Sequence, residues 1–175
     1  MMVNVAGISF DSIVDGPGLR NTLFVQGCSH HCAGCHNPET WSHQTNKLMD
    51  QQEILHALLA NKNDVTFSGG EPFEQAKALE PIAKILKENG VNLWSYSGYT
   101  FEELIQQEDQ LNLLKHIDVL VDGRFILEQR SLELKFKGSK NQRIIDVQKS
   151  LESNQIVEHH FEENRQPSPP IKLYI

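Results

Sequence analysis

All three cysteines of this 175-residue chain fall within eight positions, Cys28, Cys32 and Cys35, on a loop rich in glycine and histidine. The spacing C-x3-C-x2-C lets three thiolates close around one face of a cuboidal iron–sulfur cluster and ligate three of its four irons. No fourth cysteine exists in the sequence. Proteins that only carry electrons usually close all four positions with Cys, so an open iron is a place for a substrate-like molecule to coordinate. Three other readings use the same residues. Zinc could take the thiolates with His30, His31 or His36 as fourth ligand, although such sites bring two short ligand pairs from separate segments and a second pair is missing here. The cysteines could be buried apolar residues, an unusual pattern for a polar loop. A disulfide framework needs an even count and a secreted setting.

A second chemical signal is Ser68-Gly69-Gly70-Glu71-Pro72, which follows the apolar run Val65-Thr66-Phe67. Glycines without a Cβ let the backbone approach a ligand closely. A third is the turn Asp15-Gly16-Pro17-Gly18, whose φ angles are preset or permissive. It precedes a buried strand expected over 21–27.

The elements that position these residues follow from periodicity. Residues 1–18 read as a lead-in. Asp50 and Glu53 form an Asp variant of a capping box, and Ile54, Leu55, Leu58 and Leu59 give a helical face behind them. A strand over 64–68 precedes a helix over 79–89, with Pro81 in its first turn and Gly90 as its C′ residue. A strand over 91–96 is followed by a capping box of Thr100 and Glu103, a further helix over 109–116, and a strand over 117–121 that ends in Asp122-Gly123-Arg124. Such alternation predicts an α/β fold with a mostly parallel sheet, with too few units for a closed eight-stranded barrel. The candidate residues then share the face beyond the strand ends. Leu132, Leu134 and Phe136 alternate with charged residues as in a half-exposed edge strand. Gly138-Ser139-x-Asn141-Gln142-Arg143 is a polar turn. From Asp146 the chain turns acidic and then proline-rich, and Ile171–Ile175 either adds an edge strand or stays mobile.

Composition narrows the function classes. Hydrophobic residues make up 39 % and charged residues 22 %, within the range of soluble globular chains. A net charge of −7 argues against nucleic acid or an anionic membrane as main partner. No apolar run approaches a transmembrane span, and no signal-peptide pattern opens the chain. Three unpaired cysteines suit a reducing cytoplasm.

Taken in order, Asp-Gly-Pro-Gly-x-Arg (15–20), the cysteine loop, Cys-His-Asn-Pro-Glu-Thr-Trp (35–41), Gly-Gly-Glu-Pro, Ser-Gly-Tyr-Thr, Val-Asp-Gly-Arg-Phe and Gly-Ser-x-Asn-Gln resemble the radical S-adenosylmethionine superfamily. Within it they are most similar to the activating proteins of anaerobic ribonucleoside-triphosphate reductases. The resemblance covers roughly residues 5–145, leaving 146–175 as an extension either packed on or mobile. It implies an open partial (βα) barrel and a [4Fe-4S] cluster on Cys28, Cys32 and Cys35, with His30 and His31 not ligands. It also implies S-adenosylmethionine held by Gly34, His36, Ser68, Gly69, Gly70, Glu71 and Pro72. The reaction implied is reductive cleavage of S-adenosylmethionine, with hydrogen abstraction from a glycine of a large reductase chain. The partners implied are that chain and a one-electron donor such as flavodoxin. Asp15 is expected to bind the partner's glycine loop. Asp122 would repel the methionine carboxylate, by about 4 kcal/mol at 4 Å and an effective dielectric of 20, unless it points away as a structural aspartate or something positive intervenes. A monovalent cation on Asp122 is the expected solution, with Arg124 or Arg143 as alternatives. Many superfamily members carry an adenine-stacking aromatic just before the last cysteine. Gly34 stands there in this chain, so adenine must be held by backbone or by another ring, with His36 and Trp41 as candidates. Activases of pyruvate formate-lyase and 7-carboxy-7-deazaguanine synthases share parts of the pattern.

Overall fold

The stretch ahead of the Asp15–Gly18 turn, expected to be a lead-in, is a ten-residue strand, β1 (Val3–Ser12), in the computed structural model, which describes residues 1–160. Buried Val3 and Val5 fasten its start to the core. The remaining strands are β2 (Arg20–Val25), β3 (Lys47–Met49), β4 (Asp64–Gly69), β5 (Leu93–Tyr96), β6 (Val119–Asp122) and β7 (Arg143–Asp146). They form one sheet in the order β3-β1-β2-β4-β5-β6-β7. The central four, β2, β4, β5 and β6, pair in parallel, while β1 and β7 run against their neighbours. Because β3 opposes β1, it points with the central four. The sheet is therefore mostly parallel in direction, and it is open.

Helices α1 (Gln51–Leu58), α2 (Ala76–Glu88), α3 (Phe101–Leu104), α4 (Glu108–Leu114) and α5 (Val147–Ser153) complete the regular structure. The two expected capping boxes, Asp50 with Glu53 and Thr100 with Glu103, both form. Gly90 takes φ +74° beyond α2, and the amide of Val91 closes back on the Leu86 carbonyl. Pro81 lies in the interior of α2, because the helix begins at Ala76, after a 3-10 turn over Pro72–Gln75. Its missing N–H would have met the carbonyl of Lys77, an exposed residue, where water can replace the lost bond.

The two faces of the sheet do different work. Register places Leu23, Phe67, Ser95 and Leu120 side by side. That row packs against Ile54 and Leu58 of α1, Leu79, Ile82 and Leu86 of α2, and Leu113 and Leu114 of α4. On the opposite face the row is Thr22, Thr66, Trp94 and Val119, covered by a small cluster of Trp94, Val119 and Val121 with Tyr96, Phe136 and Ile144. Segment 132–136 is not the edge strand its alternation suggested. Phe136 takes φ +61° to set its ring on Trp94 at 5.6 Å, Leu132 is 88 % exposed, and the slot beside β6 belongs to β7. Ile145 and Val147, on either side of the boundary expected at 145/146, lie in the same core. The possible strand at 171–175 lies outside the described residues.

Arg20 explains the last residue of the Asp-Gly-Pro-Gly-x-Arg pattern. Its guanidinium is 1 % exposed and donates to Thr66 Oγ1 and to the carbonyls of Pro17, Val65 and Asn92. Its Cζ lies 5.5 Å from the Trp94 ring centroid. Burial lowers its pKa to about 10, so it stays protonated at neutral pH. Arg20→Met should leave these acceptors unpaired at about 1–3 kcal/mol each. The expected result in urea unfolding is a loss of about 3 kcal/mol or more, while a surface control such as Lys77→Met stays near wild type.

Candidate active site

The cysteine loop leaves the end of β2 and is pinned by backbone pairing. The Gly27 amide donates to Thr40 O at 2.8 Å and the Cys28 amide to Trp41 O at 3.1 Å. Cys28, Cys32 and Cys35 all line one cavity of about 440 Å³ on the helix-free face, a volume in the range of small-ligand sites. Ser68, Gly69, Gly70 and Glu71 form another wall, Tyr96, Ser97 and Gly98 a third, and Val14, Asp15, Phe125, Leu134 and Phe136 extend it. The walls at 28–35, 68–71 and 96–98 lie at the ends of the parallel strands β2, β4 and β5.

The two glycines of Gly-Gly-Glu approach protein before they approach any ligand. A Cβ on Gly69 would stand 2.5 Å from the Val25 amide nitrogen, and one on Gly70 would overlap the Gly27 carbonyl. Those same groups are bonded, Gly70 N to Val25 O at 2.7 Å and Glu71 N to Gly27 O at 2.8 Å. The turn after β4 is thus laced to the base of the cysteine loop.

Glu71 is fully buried. Its carboxylate accepts from Ser97 Oγ, the Phe73 amide, the Gly98 amide and His30 Nε2, all within 2.7–3.0 Å. His30 Nδ1 accepts from Arg124 Nε at 3.2 Å. Arginine only donates, so the His30 proton sits on Nε2. Both ring nitrogens of His30 are engaged, and its ring lies over Gly98 and edge-on to Tyr99 at 4.5 Å.

Several expected residues fall elsewhere. Pro72 is buried behind the turn as the first residue of the 3-10 segment, and neither it nor Gly34 lines the cavity. His36 does line it, with its ring 5.6 Å from Phe125. Phe125 was not anticipated. A Cβ on Gly34 would meet Leu127 at 2.8 Å and Phe125 at 3.3 Å, so Phe125 occupies the space that an aromatic at 34 would claim. Asp15 lines the cavity, and its Oδ2 accepts from Ser12 and Thr22.

Asp122 requires a correction. It is 1 % exposed and absent from the cavity wall. Arg143 Nε and Nη2 clamp its two oxygens at 3.0 and 2.6 Å, and the Phe101 amide at the start of α3 donates to Oδ2 at 2.8 Å. The expected cation has no room on a carboxylate so engaged. Arg143, also paired with Glu102, is held well above the ordinary guanidinium range by Asp122 first and Glu102 second.

The donor set fits an iron–sulfur cluster. Burial raises the Cys28 thiol to about 11, with Glu71 and Glu74 adding to it and the His30 and His31 amides opposing it. A coordinating cation reverses that preference, since a metal-bound thiol is deprotonated outright. The Asn37 amide already donates to Cys35 Sγ at 3.4 Å. Among the described residues no three His, Cys, Asp or Glu side chains converge as a single ion requires. A four-iron cube asks instead for separated thiolates, each on its own iron.

Residues 14–145 match the family model described as "4Fe-4S single cluster domain". The chain is 39 % identical over 142 residues to the anaerobic ribonucleoside-triphosphate reductase-activating protein of Vibrio cholerae serotype O1, covering 75 % of this chain and 90 % of that protein. The protein of the same name from Escherichia coli K12 is 36 % identical over 140 residues, at 74 % and 90 % coverage. A pyruvate formate-lyase-activating enzyme from Clostridium pasteurianum is 36 % identical over 132 residues, covering 67 % of this chain and 55 % of that one. Family and cavity together define a radical S-adenosylmethionine enzyme with one [4Fe-4S] cluster. The chain belongs to the family of anaerobic ribonucleoside-triphosphate reductase-activating proteins.

Three outcomes follow. Glu71→Gln turns an amide toward donors and should cost about 2–3 kcal/mol, with faster amide exchange across 28–35. His30→Ala and His31→Ala should still take up iron on anaerobic reconstitution. Exchanging sodium for potassium at constant ionic strength should leave S-adenosylmethionine affinity unchanged in calorimetry, whereas a cation on Asp122 would make it shift.

Proposed function

We propose that Cys28, Cys32 and Cys35 ligate three irons of the cluster, and that the chain is an activase generating a glycyl radical on an anaerobic ribonucleoside-triphosphate reductase. The reading extends to an open partial (βα) barrel of the superfamily's type. The carrying observation is that three cysteines, the Gly-Gly-Glu turn and the turn after β5 share one cavity. When bound, the cluster supplies the electron that splits the sulfonium of S-adenosylmethionine.

The chain's own residues do the positioning. Gly69 and Gly70 hold the turn of β4 against Gly27, and Glu71 fixes that turn to His30 and Gly98. The backbone and polar groups at 68–71 and 97–98 are thereby presented to the methionine end. His36 and Phe125 offer apolar ring surface beside Cys35 for the adenine end. Trp94, Val119, Val121, Tyr96 and Phe136 line or back the inner face and keep water from it, which protects a radical from side reactions. Asp15, on the cavity rim, meets the partner's glycine segment. A small one-electron carrier such as flavodoxin delivers the electron, in a reducing cytoplasm. No helix among the described residues is long and apolar enough to cross a membrane.

The likeness to a pyruvate formate-lyase activase supports a second reading, in which a different glycyl radical enzyme is the partner. Anaerobic reconstitution with S-adenosylmethionine, reductant and each candidate enzyme, read by EPR, decides between them: the doublet of a glycyl radical should arise with the reductase and not with the lyase. Cys28→Ala, Cys32→Ala and Cys35→Ala should each lose the [4Fe-4S] signal and all S-adenosylmethionine cleavage, and a single variant with full iron and turnover would sink the assignment. Asp15→Asn should lower radical yield severalfold at unchanged S-adenosylmethionine affinity. Equal loss of both would make Asp15 a residue of its own turn only.

A further inference from the structure

Among the described residues, one buried side-chain polar atom has no hydrogen-bond partner: Nε1 of Trp41. A buried donor left unpaired costs about 1–3 kcal/mol, and native structures rarely leave one without a ligand, water or ion to receive it. Trp41 lines the cavity that holds the three cysteines. Its carbonyl accepts from the Cys28 amide at 3.1 Å, and its indole stacks on His31, inside the cysteine loop, at 4.9 Å and 25°. The ring is therefore fixed to the loop from both sides, by backbone at Cys28 and by stacking at His31.

One donor beside the loop already points at sulfur: the Asn37 amide donates to Cys35 Sγ at 3.4 Å. The two carboxylates tied to the cysteine loop are committed: Glu71 receives four donors, and Glu74 receives His43 and the Ser29 amide. What remains for Nε1–H is an acceptor that arrives with the cavity's occupant.

We propose that the Trp41 indole N–H is a hydrogen-bond donor to a sulfur of the cysteine-bound cluster, set there to tune its reduction potential. A donor on sulfur stabilises the reduced cluster, which carries one more negative charge, more than the oxidised one. Hydrogen bonds to the sulfurs are among the factors that set such potentials. Trp41 then raises the midpoint potential, and the choice of donor at position 41 limits how strongly reducing the cluster is. This role replaces the adenine-facing one suggested by the sequence, and it rests on the cysteine ligation proposed above.

The test uses the reconstituted full-length protein without a partner. The chain has two tryptophans, so 15N-indole labelling with pulsed EPR of the reduced cluster reports on Trp41 and Trp94 alone. The expected spectrum shows a 15N coupling and a proton coupling that exchanges in D2O, both lost in Trp41→Phe and kept in Trp94→Phe. In an EPR-monitored redox titration, Trp41→Phe should shift the midpoint to more negative potential at unchanged iron content. Absence of both couplings in the unmutated protein overturns the proposal, and that measurement stands even where Trp41→Phe loads poorly. An unshifted midpoint with weakened S-adenosylmethionine affinity assigns the donor to that ligand and also overturns it. Unmutated protein that takes up no iron refutes the cysteine ligation itself, an outcome iron analysis registers before any spectrum is taken.

Discussion

One buried carboxylate holds three separate loops in a single arrangement. Glu71 follows β4, His30 belongs to the cysteine loop after β2, and Ser97 and Gly98 follow β5, and all of them meet at the two oxygens of Glu71. A carboxylate has about four lone-pair sites, and here four donors fill them. Nothing apolar could do this, because each donor would be left unpaired in a site closed to water. The same four bonds make the order of the walls obligatory: the cysteine loop cannot drift from the Gly-Gly turn without stranding His30, and His30 in turn holds Arg124 from the end of β6.

Charge elsewhere in the inner half of the fold is likewise spent on construction. Arg20 gathers the carbonyls of the Asp15–Gly18 turn, β4 and the start of β5 at one end of the parallel strands. At the other end, Asp122 and Arg143 clasp β6 to β7, and Asp122 also meets the first amide of α3. Lys87 pairs with Asp118 behind the sheet. An open parallel sheet has no closing hydrogen bonds, so buried ionic and polar ties at the strand ends take over the work of fixing its curvature. This is why Asp122, placed by its position after a strand among the expected cofactor groups, turns out to be architectural.

The sequence was most legible where local chemistry and tertiary structure agree. The capping boxes at Asp50 and Thr100 and the C′ glycine at 90 follow from short-range rules, and the central parallel strands and the gathering of the cysteines with Ser68–Glu71 follow from the alternation of strand and helix. It was least legible where a distant contact overrode the local pattern. β1 has a mixed pattern because only Val3 and Val5 of its ten residues reach full burial. Pro81 looked like a helix start because the 3-10 turn ahead of α2 carries no helical periodicity. Phe125 follows a strand, as Ser68 and Ser97 do, and its signal was the gap at Gly34, whose side-chain space Leu127 and Phe125 share.

The helix-free face of the sheet sets the remaining constraint. A parallel sheet needs cover on both faces, yet this one must keep a cavity open on the side where the cysteines lie. Helices would fill that side. The chain covers it instead with the irregular segment 130–138, held at its neck by polar bonds: an isolated bridge from Arg130 to Ser139, Ser139 Oγ accepting from the Ile126 amide, and Gln142 accepting from the amides of Gly138 and Ser139 while donating to Gly123 O. A segment tied at its neck can lay Phe136 on Trp94 and leave Leu132 at the surface without lining up hydrogen bonds along its length. The alternation of Leu132, Leu134 and Phe136 therefore records which side chains face the cavity and its rim, and a period of two arises there without a strand.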